Sequence, residues 1–234
     1  GGKSMKKVMK VIAAGIVCTC IFCFGKAIRD KTAKVYQQFC EETEPEEWID
    51  FNYWQNRNAD VYAWIRIPGT KIDYPVVQGD EDGYYLSHDI DKESNIYGAI
   101  YTETANDIDF SDGNTVIYGH NTLDRFGKLH EYQDRTFFDE NREVRIYLPE
   151  KMLVYRIFAA YPYDDRHLIA AYDFSDPIIF RNYLEEVFSI RQIDAFIDDT
   201  MDVTEDDKLI TLETGVSGEP DQRYLVQAVL VEEQ

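Results

Sequence analysis

The sequence predicts a mainly β fold with added helices: a closed eight-stranded barrel, preceded by helices and interrupted by one long helix between its sixth and seventh strands. Three observations predict it. Eight short runs rich in β-branched and aromatic residues lie between Ala63 and Val231. Turn signals such as Pro68-Gly69, Asp112-Gly113-Asn114 and Pro149-Glu150 separate several of them. The composition, 44% hydrophobic with 17 Tyr and 13 Phe, is rich enough to build a substantial core. Eight strands in one segment favour closure, because a closed barrel leaves no open edge.

Taken in order, residues 1–4 read as a cloning remnant before a natural start at Met5. Residues 5–28 read as a membrane signal-anchor. Val11–Gly25 is apolar apart from Thr19, and extension to Val8 and Ile28 reaches spanning length if Lys10 and Lys26 snorkel. The competing reading is a cleaved signal peptide, but no small-x-small cleavage site follows the apolar run. Basic residues in front and an acidic body behind predict a single-pass protein of the cell membrane, N-terminus cytoplasmic and main domain extracellular.

Residues 29–58 read as a helical linker, in which Trp48, Phe51 and Trp54 have helical spacing and are expected to pack on the domain. Residues 59–234 form the barrel domain. Its predicted strands are Ala63–Ile67, Ile72–Val77, Ala99–Thr102, Thr115–Tyr118, Glu143–Leu148, Leu153–Tyr161, Leu209–Leu212 and Tyr224–Val231. The long helix starts with Asp176 as cap and Pro177 in the first position; Phe180, Tyr183, Leu184, Val187 and Phe188 make its apolar face. A shorter helix is predicted over Phe126–Gln133. The last two strands flank a loop rich in Gly, Ser, Pro and Asp, from just after Thr214 to Arg223.

The charge and cysteine patterns exclude several functions. All 44 acidic residues lie from Asp30 onward, against 20 basic residues after Lys10, a net charge of −24 for that part. Nucleic acid is excluded as a partner, since phosphate contacts need clustered Lys and Arg. Cys18, Cys20, Cys23 and Cys40 all precede the barrel, so it holds neither a disulfide framework nor a thiolate metal site. Asp107–Gly113 departs from a calcium loop, with its Gly one place late and Tyr118 where a bidentate Glu belongs; it reads as a turn. No cofactor or metal is predicted.

The residues that carry chemistry sit at strand ends. His120 follows Asn114-Thr115-Val116-Ile117-Tyr118-Gly119, Thr211-Leu212-Glu213-Thr214 ends another strand, and Arg223 opens the last, eight residues beyond Gly215. His88, His130 and His167 lack such context and receive no role. In order and spacing, these three motifs resemble a sortase, a cysteine transpeptidase of Gram-positive bacteria. The resemblance covers about residues 50–232, and it points to class B. Helices precede the barrel, a helix separates strands six and seven, Ile72–Gln78 reads IDYPVVQ, and no Asp-Pro-aromatic lid is present.

The resemblance implies a sortase-type barrel, a sorting-signal peptide as substrate, and an amine of a peptidoglycan precursor or a pilin as acceptor. It also implies three catalytic positions. A thiolate attacks the peptide carbonyl and forms a thioester; His120 protonates the departing amine and later activates the incoming one; Arg223 donates to the oxyanion or positions the substrate. The nucleophile position is Gly215. Two departures follow: the thiol is absent, and Glu213 stands where class B often has Ser. Gly215 is compatible with a replaced Cys, with a naturally inactive relative, or with a glycine serving a bulge. Thr214 and Ser217 offer only unactivated hydroxyls. The sequence thus leaves two functions, a sortase lacking its nucleophile and a sortase-like barrel that only binds peptide.

Overall fold

The structure, a computed structural model, describes residues 48–234. Ile49–Gln234 forms one compact unit. Its elements are helix α1 (Phe51–Arg57), strands β1 (Val61–Arg66), β2 (Asp73–Val77), β3 (Ile100–Tyr101) and β4 (Asn114–Tyr118), then helix α2 (Arg135–Glu140). Strands β5 (Glu143–Tyr147) and β6 (Met152–Asp164) follow, then helices α3 (Leu168–Ala171) and α4 (Pro177–Ser189). Strands β7 (Phe196–Ile197), β8 (Leu209–Val216) and β9 (Glu219–Glu233) complete the chain. Short 3₁₀ turns occupy Tyr84–Leu86 and Gly127–Gln133, the second where a short helix was predicted.

The strands run in the order β5-β1-β2-β3-β4-β8-β9-β6-β7, and pairing of β5 with β6 closes eight of them into a barrel with β7 outside. The β2–β3 and β4–β8 pairs are parallel and the remainder antiparallel. The predicted closed eight-stranded barrel is therefore the observed fold. Its interior is filled by inward residues such as Ile65, Ile117, Phe138, Ile157, Leu212 and Val226.

Alternation along the strands sorts everything else to the outer face. On β8, Ile210 and Leu212 face inward, while Leu209 packs in a second, outer apolar layer. On β9, Tyr224, Val226 and Ala228 face inward, and Leu225 and Val229 outward. The outer layer is covered by α4, which starts as the sequence predicted. Asp176 accepts hydrogen bonds from the amides of Ile178 and Ile179, and Pro177 takes the first turn. Phe180, Tyr183, Leu184 and Val187 bury its inner face; each such side chain stabilises by roughly 1.5–3 kcal/mol. One polar network crosses this layer. Gln227 donates to the Tyr183 and Thr211 hydroxyls and accepts from Tyr161, tying α4 to three strands.

At the other end, Phe51 of α1 packs against Tyr147, Met152 and Val154, and the Trp54 ring lies 5.0 Å from that of Trp64. The expected docking of this segment holds for those two residues; Trp48 lies before α1 and is half exposed.

One expectation is corrected. The sequence predicted a single-pass membrane protein, yet among the described residues no helix is long and apolar enough to cross a membrane. The longest described helix, α4, has 13 residues, about 20 Å of rise against the ~30 Å of a bilayer core. The proposed anchor at 5–28 and most of the 29–58 linker lie outside the described residues.

Candidate functional site

β4, β8 and β9 are neighbours in the barrel wall, and their registers fix the site. Tyr118 pairs with Glu213 across the parallel β4–β8 ladder, and the Gly119 amide donates to the Glu213 carbonyl at 3.1 Å. Gly215 pairs with Arg223 across β8–β9. Counting by twos from outward residues Val116, Leu209 and Val229 gives His120, Gly215 and Arg223 the same outward parity. They line one cavity of about 350 Å³. A larger cavity of about 760 Å³ beside α4 contains none of the three.

The predicted loop from 215 to 223 is much tighter than expected. β8 continues to Val216 and β9 begins at Glu219, leaving Ser217-Gly218 as the turn, with an irregularity between Gly215 and Val216. Gly218 has φ 81°, a left-handed conformation that favours glycine. Gly215 does not: its φ lies outside that region, and a Cβ built there would meet no atom within 4 Å. The backbone at 215 therefore accepts a side chain. Gly119 is the opposite case, since a Cβ there would lie 2.7 Å from the Phe126 ring; only glycine brings the strand end that carries His120 so close to Phe126.

His120 is half buried. Its Nε2 lies 2.7 Å from the Leu86 carbonyl oxygen, so Nε2–H donates and Nδ1 is left as an acceptor. Asn121 donates to the Ser217 hydroxyl at 3.1 Å, pinning the end of β4 to the hairpin turn. Arg223 donates through Nη1 to the carbonyls of Pro220 (2.8 Å) and Gln222 (2.9 Å), and its Nε lies 3.6 Å from Glu213 Oε1.

Sequence reasoning missed four residues. His130 Nε2–H donates to the Gly215 carbonyl at 2.9 Å, fixing the backbone at that position. Glu103 and His167 line the cavity and meet at 2.7 Å between Oε2 and Nε2, while the Tyr118 hydroxyl lies 3.3 Å from the same imidazole nitrogen. Asp165 lines it as well. Glu213, noticed only as a departure, is buried in the cavity floor. Burial above all, and repulsion from Glu103, push its carboxyl up to about 7, against the opposing pull of Arg223 and His167. Among the described residues no cluster of His, Cys, Asp or Glu is arranged to hold a metal ion. Asp112 is satisfied by Asn106, the Asp107 amide and Thr115, as a turn residue is.

The arrangement suits an extended peptide laid over an outward-facing strand end, with a proton-carrying imidazole on one side and a guanidinium on the other. Comparison with known proteins agrees. The family model of the sortase domain matches residues 65–231. The chain is 24% identical to Sortase B of Staphylococcus aureus over 210 residues, 88% of this chain and 84% of that protein. It is 31% identical to Sortase B of Listeria monocytogenes over 162 residues, 68% of this chain and 64% of that protein. The X-ray structure of Clostridium perfringens sortase B superposes with a TM-score of 0.70 at 30% identity, covering 77% of this chain and 99% of that one. Membership implies a sorting-signal peptide as substrate and an amine as acceptor. On its fold, its strand-end residues and these likenesses, the chain belongs to the sortase family, on the class B side.

Proposed function

We propose that this chain is a class B sortase form that binds its sorting peptide without cleaving it, because Gly215 stands at the nucleophile position. With a Cys there, the sulfur would attack the peptide carbonyl after a Thr, forming a C–S bond. The C–N bond would break, and His120 would pass a proton to the leaving amine. Arg223 would steady the developing oxyanion. A cell-wall or pilin amine would then resolve the thioester, which makes the reaction transpeptidation. Gly215 carries no atom beyond Cα, so this covalent route is closed, whereas the groove walls come from other residues.

The observation that carries this reading is the open space at 215, directly across the ladder from Arg223 and in one cavity with His120. A second reading, a barrel that only ever binds peptide, draws on Arg223, whose guanidinium already engages Glu213 and two carbonyls.

The test is Gly215→Cys, incubated with peptides containing Thr-Gly and Thr-Asn bonds and followed by intact mass. A peptide acyl adduct on the Cys form is expected, absent from the Gly form and strongly reduced when His120→Ala is added. A Cys form inert on every peptide favours the second reading, and cleavage by the Gly215 form itself overturns the assignment of residue 215.

A further inference from the structure

The backbone at residue 215 is held by a side chain where a strand would otherwise hold it. Pairing in the parallel β4–β8 ladder ends at Tyr118 and Glu213, and the Gly119 amide donates to the Glu213 carbonyl. Two residues on, the Gly215 carbonyl faces the same side of β8, and the amide of Asn121 would be its partner if β4 ran further. Instead the chain turns at His120, whose carbonyl accepts from the amides of Thr122 (2.8 Å) and Phe126 (3.0 Å). His130 fills the gap, its Nε2–H donating to the Gly215 carbonyl at 2.9 Å. The donor is itself fixed. Its ring centre lies 5.2 Å from that of the buried Tyr224, Gln133 Nε2 is 3.4 Å from its Nδ1, and its neighbour Leu129 is buried. The amides of Gly127 and Leu129 donate to the carbonyls of Thr122 and Phe126, so the turn that carries His130 hangs from the segment that carries His120.

We infer that His130 is a positioning residue for the reaction at 215: it fixes where the attacking atom of a Cys there stands relative to His120. The inference rests on the function proposed above and adds a residue to its machinery. One connection carries both imidazoles and meets the β8–β9 hairpin twice, through His130 on the Gly215 carbonyl and Asn121 on the Ser217 hydroxyl. The hairpin needs that hold, because the β8–β9 ladder is irregular between Gly215 and Val216. His130 is not among the residues that line the cavity, so it acts on the main chain of residue 215 and not on the peptide. Displacement of a reacting atom by about 1 Å costs on the order of a hundredfold in rate, and a strand end released from His130 is free to shift by that much.

Two substitutions separate the hydrogen bond from the packing. His130→Gln keeps an N–H at about the reach of Nε2 but loses the ring on Tyr224; His130→Phe keeps a ring there but donates nothing. Each is placed in the full Gly215→Cys chain, and the rate of acyl-adduct formation is followed by intact mass over a range of Thr-Gly peptide concentrations. His130→Phe is expected to lower the maximal rate at least tenfold, with a smaller change in the peptide concentration that gives half of it. His130→Gln is expected to stay within about threefold of the parent. If His130→Phe does not melt cooperatively, His130→Leu takes its place. A second readout needs no nucleophile: in the Gly215 chain, the carbon-13 carbonyl resonance of Gly215 should move in His130→Phe and stay near its parent position in His130→Gln. Rates that fall equally in both variants, or in neither, or a carbonyl resonance indifferent to His130→Phe, overturn the role of His130 and leave the proposed function standing. A Cys form that makes no adduct with any peptide overturns both.

Discussion

Glu213 gives the chain a stability that should fall as pH rises, and a single substitution isolates it. Its folded carboxyl titrates at about 7, against 4.5 for a free one, because burial penalises the charge more than Arg223 favours it. The folded value is the raised one. Between those pH values the folded chain keeps a proton here that the unfolded chain has released. This contribution is therefore fully present below pH 4.5 and lost as pH rises to about 7. From pH 5 to pH 8 the loss spans about two pH units below the folded pKa, or about 2–3 kcal/mol. Glu213→Gln replaces the acid by an amide that never ionises, so it should gain about that much on the parent chain between the two conditions. Urea melts of both proteins at pH 5 and pH 8 measure it, and most other titrating groups cancel in the double difference. A double difference within about 0.5 kcal/mol of zero, or of opposite sign, would show that the folded groove solvates or neutralises this carboxylate and that the reasoning from burial is wrong.

Three further outcomes are expected. Gly215→Cys should change unfolding free energy by no more than about 0.5 kcal/mol, since the new Cβ meets nothing within 4 Å and the backbone is not left-handed; a loss above 2 kcal/mol by urea melt would count against position 215 as a site for a side chain. Tyr183→Phe removes the hydroxyl that joins Gln227 and Tyr161 in the buried network, and should cost about 1–3 kcal/mol with the β8–β9 amides exchanging faster. A chain shortened to begin at Ile49 should still melt cooperatively, because Ile49–Gln234 is one compact unit with its own core; calorimetry showing no cooperative transition would refute it.

What the sequence made legible follows from the range of the interactions involved. Asp176 and Pro177 announce α4 because capping is local: Asp176 accepts from the amides of Ile178 and Ile179, two and three residues on. Strand existence was legible from apolar runs, strand ends less so. The stretch after Thr214 reads as loop by composition, yet β9 reaches back to Glu219 because β6 and β8 flank it and supply partners for Gln222 and Arg223. Tertiary pairing overrode the turn propensity of Pro220 and Asp221. The two-residue β7 and four-residue α3 carry too few residues for any periodicity. At the site, His120 and Arg223 were legible through motif context. His130 and His167 were not, because each finds its partner across a long stretch of chain, Gly215 for one and Glu103 for the other. The predicted membrane segment had a clear apolar signal, but the described helices give it no support.

The positions of His120, residue 215 and Arg223 depend on main-chain pairing rather than on what side chain residue 215 bears. The parallel ladder sets Tyr118 beside Glu213, the antiparallel ladder sets Gly215 opposite Arg223, and His130 grips the carbonyl of residue 215. None of these bonds involves an atom beyond Cα at 215. A Cys or a Gly can therefore occupy the position with the same strand ends on either side. If the proposed function is right, recognition and bond breaking are separable in this barrel. On the proposed function, the peptide would be held by the sheet and by the residues that line the cavity, Glu103, Glu213 and the tyrosines among them, whereas the proposed chemistry would need one sulfur in the space that Gly215 leaves open. If that separation holds, the Gly215 chain and its Cys form should share one order of preference among peptides, with only the Cys form gaining mass. Different orders in the two forms would mean that residue 215 shapes the groove as well as the reaction.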